Sequence, residues 1–539
     1  MRTGSGATDG ESTFRLRPAV RRLFAADALL PDGCARDVML EWNDAGVLTR
    51  VAAGVDASRF DASRVHLSRA HGEAPVSVRA QTDAIDAADV HPAPRYETAA
   101  GPLLPGMPNL HSQAFQRAFA GQGGCRIDAG GRRWRMAMYR AAAAISPAQL
   151  EAVATFLYLE MLEAGYTSVC EFPVLHDEVE ERPGAWRGQG GAAMAMGLMR
   201  AAEEVGIGLT LLPVLYQTMD FGGRPAPRER RRLVRSTDSM VGLLAGLKPV
   251  CDPRRIRLGL GLHSLRAVPP DSLREALAGL HSIDASAPIH LRIAERGGDV
   301  DDCVVHRGQR PVRWLLDHVG VDARWCLVHA THLDAGEVAC AARSGTVAGP
   351  CPTAEADRGD GLFDLVRWRA AGGSWGIGSD NQVRVDPAEE LMRLAYGRRL
   401  VRGQRDIAAS LRKGTSVKPG AEETDDGSNP MENLGPDAAA SLWSSAVAGG
   451  ARAAARPIAG LSVGQQADFV VLDAGHPRIA GLSAPAMLSA HLCADDRRSA
   501  IAEVWTAGRP RVTASRHDLH ELAAAAFAQA RMALIEACR

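Results

Sequence analysis

Short apolar runs alternate with amphipathic stretches through the middle of the chain. Ile256 to Leu262, Pro288 to Ile293, Trp325 to Val328 and Ser374 to Gly378 are compact and apolar, as strands buried on both faces of a parallel sheet are. Between such runs, Leu150 to Ala164, Ala193 to Val205 and Asp271 to Leu280 repeat their apolar residues with helical spacing. This alternation predicts a parallel sheet or a β/α barrel. Each run hands over to a polar residue: His263, Glu295, His329 and Asp380. Strand C-termini are where a β/α barrel carries its chemistry, so these four are candidate site residues.

The two ends of the chain follow a different pattern. Val38 to Val51, Ala467 to Leu472 and Ile501 to Thr506 alternate or cluster as strands do, which predicts one small β domain assembled from both termini. Two stretches read as insertions: Asp56 to Pro94, rich in Ala, Asp, Arg and His, and Lys413 to Pro436, where Gly, Pro and charge argue for a mobile loop. The expected division is a disordered tail at 1–22, the first part of the β domain at 23–100, and a barrel at 101–455 that carries the 413–436 insertion. The second part of the β domain and a terminal helix take up 456–539.

Composition narrows the picture by exclusion. The chain has 539 residues, enough for one large domain and a smaller one. A formal net charge of -1 and 23% charged residues offer no basic surface for nucleic acid. No run approaches the roughly 20 apolar residues of a membrane span, and the first residues lack a signal-peptide core, so a cytoplasmic location is expected. Ten cysteines, none in a Cys-x-x-Cys pair, suggest neither a disulfide framework nor a thiolate metal site.

The sharpest local signal is PGMPNLHSQAFQRAFAG, Pro105 to Gly121, which brings His111 and Gln113 to the end of the expected first barrel strand. Residues two apart on a strand face the same way. Two imidazoles at that spacing reach a single zinc or iron ion, but here the second side chain is an amide. A lone histidine at a strand end is more often a hydrogen-bonded packing residue than a ligand, so the weight rests on joint placement.

LHSQAFQRA, GYTSVCEF (165–172), LHSLRAV (262–268), VHATHLD (328–334), CPTAEADRGDGLFDL (351–365) and GIGSD (376–380) together resemble the formimidoylglutamate deiminase family of the amidohydrolase superfamily. The similarity runs from about Leu23 to about His520. The resemblance implies a distorted (β/α)8 TIM barrel with a small β-sandwich from both chain ends, and a single catalytic zinc. The implied reaction is hydrolysis of N-formimidoyl-L-glutamate to N-formyl-L-glutamate and ammonia, a step of histidine breakdown, and homodimers are common in the family.

Carried over by position, the resemblance makes His111 and Asp380 metal ligands, with Asp380 also taking a proton from water. Glu295 becomes the group that passes a proton to the leaving nitrogen, and His329 the one that polarises the substrate or holds the water. Gln116, Arg135, His263 and Arg266 fall on positions that bind the polar groups of an acidic substrate, a role that suits the planar guanidinium fork. Surface ion pairs are the alternative for Arg135 and Arg266. His332 reads as structural, and Glu355 and Asp360 as ordering a loop above the barrel, with a substrate role as the alternative.

The departures concentrate at the mouth. Gln113 and Arg292 occupy the other two ligand positions, Pro173 and Val174 stand where the family has His and Tyr, and Asn381 and Gln382 follow the aspartate in place of Ser-His. A guanidinium stays protonated and offers only donors, so zinc affinity is expected to be lost or greatly reduced. His290 lies on the same strand face as Arg292 but about 6 to 7 Å lower, too far to substitute. Arg292 is instead expected to pair with Asp380 or Glu295. The sequence leaves open a C–N hydrolase, a pseudoenzyme that binds an acidic small molecule, and metal-free acid–base chemistry.

Overall fold

The computed structural model describes residues 21–59, 96–121, 132–176, 192–252, 254–403, 436–493 and 497–537. The expected insertions at 56–94 and 413–436 lie mostly or wholly outside these residues, as does residue 1–20 of the expected tail. At the centre is a ring of parallel strands: Met107–Ser112, Tyr166–Glu171, Gly208–Leu211, Ile256–Leu258 with Leu260–Leu262, Ile289–Ile293, Trp325–His329, Val347–Gly349 and Ser374–Trp375. Hydrogen bonding divides it into two sheets that exchange partners where the third strand resumes as Val214–Leu215 after Pro213, and where the fourth breaks at Gly259. A Cβ on Gly259 would lie 2.4 Å from the Pro288 carbonyl oxygen, so only glycine permits this approach. The bridges Asn109 to Ile377 and Ser112 to Asp380 close the ring. The first and last strands therefore meet beside His111 and Asp380.

Two barrel helices carry their start signals in the sequence. Pro147–Glu163 begins with a capping box, the Ser146 hydroxyl accepting from the Gln149 amide while the Gln149 side chain accepts from the Ser146 amide. Ala335–Ser344 repeats the device with Asp334 and Glu337 and ends at Gly345, whose φ is 82°. Helix Pro436–Ala454 seals the junction between the first and last strands. Its Trp443 indole donates to the Pro105 carbonyl at 2.9 Å, and its Ala453 carbonyl lies 2.8 Å from His290 Nε2. His290 is thereby spent at the base of the barrel, far from any ligand role.

The chain ends build a nine-stranded sheet that includes Arg21–Leu30, Gly33–Trp42, Leu48–Ala52, Leu103–Pro105, Phe469–Leu472, Ile501–Thr506 and Arg509–Thr513. Its own core centres on Trp42, Phe469 and Trp505, rings from both ends of the chain whose centroids are 5.3 to 6.1 Å apart. The strand Arg21–Leu30 begins ahead of the 22/23 boundary expected from sequence. Leu103–Pro105 belongs to this sheet, and one residue later the chain enters the first barrel strand.

The seal against the barrel depends on two glycines. A Cβ at Gly449 would sit 1.8 Å from the Trp375 carbonyl oxygen, and one at Gly450 2.9 Å from Pro108 Cβ. Alanine would improve helix propensity by about 1 kcal/mol, yet the helix would have to back away from the seam. Gly449→Ala is therefore expected to lower stability by about 2 kcal/mol net, read as a lower midpoint in urea with an unchanged slope.

Candidate active site

His111 is the last inward-facing residue of the first barrel strand, and Gln113 follows at the start of the turn Ala114–Phe119. Asp380 stands across the closing seam, with His111 Nε2 3.4 Å from Asp380 Oδ1 and the Gln113 amide donating to the same oxygen at 2.9 Å. His329 ends the sixth strand, its Nε2 3.9 Å from both Asp380 Oδ2 and Glu295 Oε1. On the other side of its ring, Nδ1 lies 3.2 Å from Glu355 Oε1, which also accepts from the Cys351 amide. Ala294, His329, Ala330, Asp380 and Gln382 all have positive φ without being glycine. Such conformations cost of order 1–3 kcal/mol each and persist where the surroundings over-determine them, as active sites do.

Two guanidiniums dominate the electrostatics. Arg292, from the fifth strand, donates to Glu295 Oε2 at 2.7 Å. Arg358 was not singled out in the sequence. It ends the short helix Pro352–Arg358 and reaches Asp380 Oδ2 at 2.6 Å, Glu295 Oε1 at 3.1 Å and Asp360 Oδ2 at 2.6 Å. Of the two partners expected for Arg292, it takes Glu295, and Arg358 takes Asp380. Burial alone would raise the Asp380 carboxyl, but Arg358, His111 and Arg292 hold it well below the usual carboxylate range. Burial is likewise outweighed at Glu295, chiefly by Arg292, His329 and Arg358. The His111 imidazole is lowered to about 4 by burial and is neutral at pH 7.

The residues expected to bind substrate are brought less closely together. His263 stands edge-on to Tyr216 with ring centroids 4.7 Å apart, and its Nδ1 lies 3.1 Å from the Ser264 hydroxyl. Arg266 donates to Asp299 at 2.9 Å, with the side chains 29% and 23% exposed. This is the ion pair that sequence offered as the alternative to a carboxylate clamp. Gln116 is buried with Oε1 unpartnered. Arg135 falls on helix Arg132–Ala144, and its side chain lies outside the described residues. His263, Arg266, Arg292, Glu295 and Asp299 line a cavity of about 30 Å³, room for roughly two waters. His332 Nε2 meets the Asp360 carbonyl at 2.6 Å, the structural role read for it.

Residues 103–511 match the amidohydrolase family. Formimidoylglutamate deiminase of Pseudomonas aeruginosa is 40% identical over 94% of this chain and 98% of its own length. The chain belongs to the amidohydrolase family, in its formimidoylglutamate deiminase branch. A solved amidohydrolase from Brucella melitensis superposes with a TM-score of 0.77 at 34% identity, covering 96% of this chain and all of the other. A zinc-bound adenosine deaminase from Xanthomonas campestris, 19% identical with a TM-score of 0.69, shares the fold. The (β/α)8 barrel is thus common to this chain and its relatives. Among the described residues no helix is long and apolar enough to cross a membrane.

The zinc of the amidohydrolase family can be tested against the side chains present. In favour, His111 Nε2 and His329 Nε2 are buried without hydrogen-bond partners, and with Asp380 they bring donor atoms within 4.8 Å of one another. Against it, Gln113 and Arg358 donate N–H groups to the two oxygens of Asp380, and the Arg292 guanidinium, which offers only donors, pairs with Glu295. A dication 4 Å from a guanidinium is repelled by about 2 kcal/mol in a water-like medium and about 8 kcal/mol at an effective dielectric of 20, and here there are two. These residues do not fit a zinc ion, and no chemical step is assigned to one.

A buried acid lies beneath the site. Glu171, 1% exposed at the end of the second strand, accepts from the Ser112 hydroxyl at 2.5 Å and the Ala114 amide at 2.7 Å, and so fixes the His111–Gln113 turn. Burial raises its carboxyl from 4.5 to about 7 despite these bonds. Because the folded state binds the proton more tightly than the unfolded chain, this stabilisation is full below pH 4.5 and disappears as pH rises through about 7. The loss amounts to about 3 kcal/mol at most. Urea titrations across that window are expected to give a shallower pH dependence for Glu171→Gln than for the native protein.

Proposed function

We propose that the chain accepts an acidic small molecule of the N-formimidoyl-L-glutamate type and hydrolyses its C–N bond, releasing ammonia. The observation that carries this reading is the convergence of Asp380, Glu295 and His329 at one point of the barrel mouth. Kinship with the Pseudomonas aeruginosa deiminase along nearly the whole chain supports the substrate class. In this reading Asp380 takes one proton of the attacking water, Glu295, ionised at rest, takes the other as the carbonyl forms, both protons pass to the departing nitrogen so that it leaves as ammonia, and His329 orients the reacting carbon. His263, Arg266, Arg135 and Gln116 bind the substrate's polar groups, Arg266 by exchanging Asp299 for a substrate carboxylate. The reading takes 101–455 as the catalytic barrel and the sheet of the chain ends as a β-sandwich that supports it.

A second reading has its own observation behind it. A carboxylate engaged by two guanidiniums is a weak base at neutral pH, and Asp380 and Glu295 share Arg292 and Arg358. That arrangement favours a protein that binds the acidic molecule without turning it over.

Ammonia release from N-formimidoyl-L-glutamate separates the two. The hydrolase reading predicts turnover that Asp380→Asn reduces at least about 100-fold; equal turnover by the variant defeats it. The binding reading predicts a rise in melting temperature with formimidoylglutamate or glutamate and no ammonia from the native protein.

A further inference from the structure

We infer that Arg292 and Arg358 together replace the metal ion as the positive centre of the barrel mouth, so that the site is complete and ordered without one. This concerns how the site is held, and it stands whether or not the C–N bond is hydrolysed.

The substitution of Gln113 and Arg292 explains only how ligands are removed. Arg358 explains what takes over their task. It arrives from the opposite loop and binds carboxylates on three separate elements: Asp380 after the last strand, Glu295 after the fifth, and Asp360 beyond its own helix. A single guanidinium with five N–H donors can do this, as a metal does, because its charge is spread over a planar fork. Arg292 adds a second positive group on the remaining oxygen of Glu295. Asp380 is closed from both sides, by Gln113 on Oδ1 and Arg358 on Oδ2.

Arg358 is not a stray surface side chain. Its helix is bolted down at the start, where buried Glu390 accepts from the Thr353 amide at 2.8 Å and the Thr353 hydroxyl at 2.5 Å. One turn before Arg358, Glu355 meets His329. Residues three apart on a helix share a face, so the segment presents an anion to the imidazole and a cation to the carboxylates together. Arg292 and Arg358 are accordingly positioning residues, and their effect is on the arrangement of Asp380 and Glu295.

A specific consequence follows for rebuilding the metal site. Restoring the two imidazoles with Gln113→His and Arg292→His leaves Arg358 on Asp380, so zinc should still bind poorly; removing the guanidinium as well with Arg358→Leu should admit it. Zinc content after dialysis against zinc, measured by elemental mass spectrometry, is expected to be far below one per chain in the native protein and about one in the triple variant. Zinc affinity should be at least about tenfold tighter in the triple variant than in the double. Near-stoichiometric zinc in the native protein, or a double variant that binds as tightly as the triple, overturns the inference. One arm requires no variant: the melting temperature of the native protein should not change with EDTA, and a fall on chelation overturns the inference equally. Ammonia release, assayed separately, bears on the hydrolase reading alone.

Discussion

The mouth of the barrel is governed by charge neutralisation in a place with little water. Asp380 is buried, and Glu295 and Asp360 are close to it through Arg358. Carboxylates so placed must be compensated, by a cation or by protons. Here two arginines compensate them, and both acids at the centre stay ionised. Deleting one partner of such a group strands the other charge, at a cost of about 3–5 kcal/mol. That balance ties His329, the helix before Gly359 and the turn after His111 to the same carboxylates.

Much of the barrel was legible because its strands are buried on both faces. Ile289–Ile293 and Trp325–His329 stand out as apolar runs, and Glu295 and His329 as the first polar residues beyond them. The first terminal strand, Arg21–Leu30, is not read as a strand in the sequence, where only a domain boundary at 22/23 is placed, since its Arg and Asp residues blur the two-residue alternation on the solvent side. The closing helix Pro436–Ala454 also escaped notice. Its decisive feature is a pair of glycines against a strand edge, which sequence periodicity does not register.

The site was legible residue by residue but not in its partnerships. His111, Asp380, Glu295 and His329 are singled out in the sequence and lie near one another, whereas Arg358 carries no periodic signal and reaches the centre from the end of its short helix. The available clue was its spacing of three from Glu355 in a segment already matched to family motifs. Arg266 shows the reverse problem. Its motif position left a clamp and an ion pair open, and the partner, Asp299 in the first turn of helix Gly297–Arg307 beyond the fifth strand, is a neighbour that strand patterns do not disclose.

The entry into the first barrel strand links the barrel to the terminal sheet, one face of which packs into the barrel's core while the other builds its own. Leu103–Pro105 is paired with Phe469–Leu472 in the terminal sheet, and Met107–Ser112 is paired with the second barrel strand. Only Gly106 lies between, where a Cβ would sit 2.3 Å from the Thr167 side chain. With little slack in that joint, the span from Leu103 to His111 covers about 26 Å, with register shifts after Met107 and after Asn109. The terminal sheet thus sets the depth at which His111 stands in the mouth. Sequence drift among the outer strands is a means of tuning the centre without altering any residue that touches it.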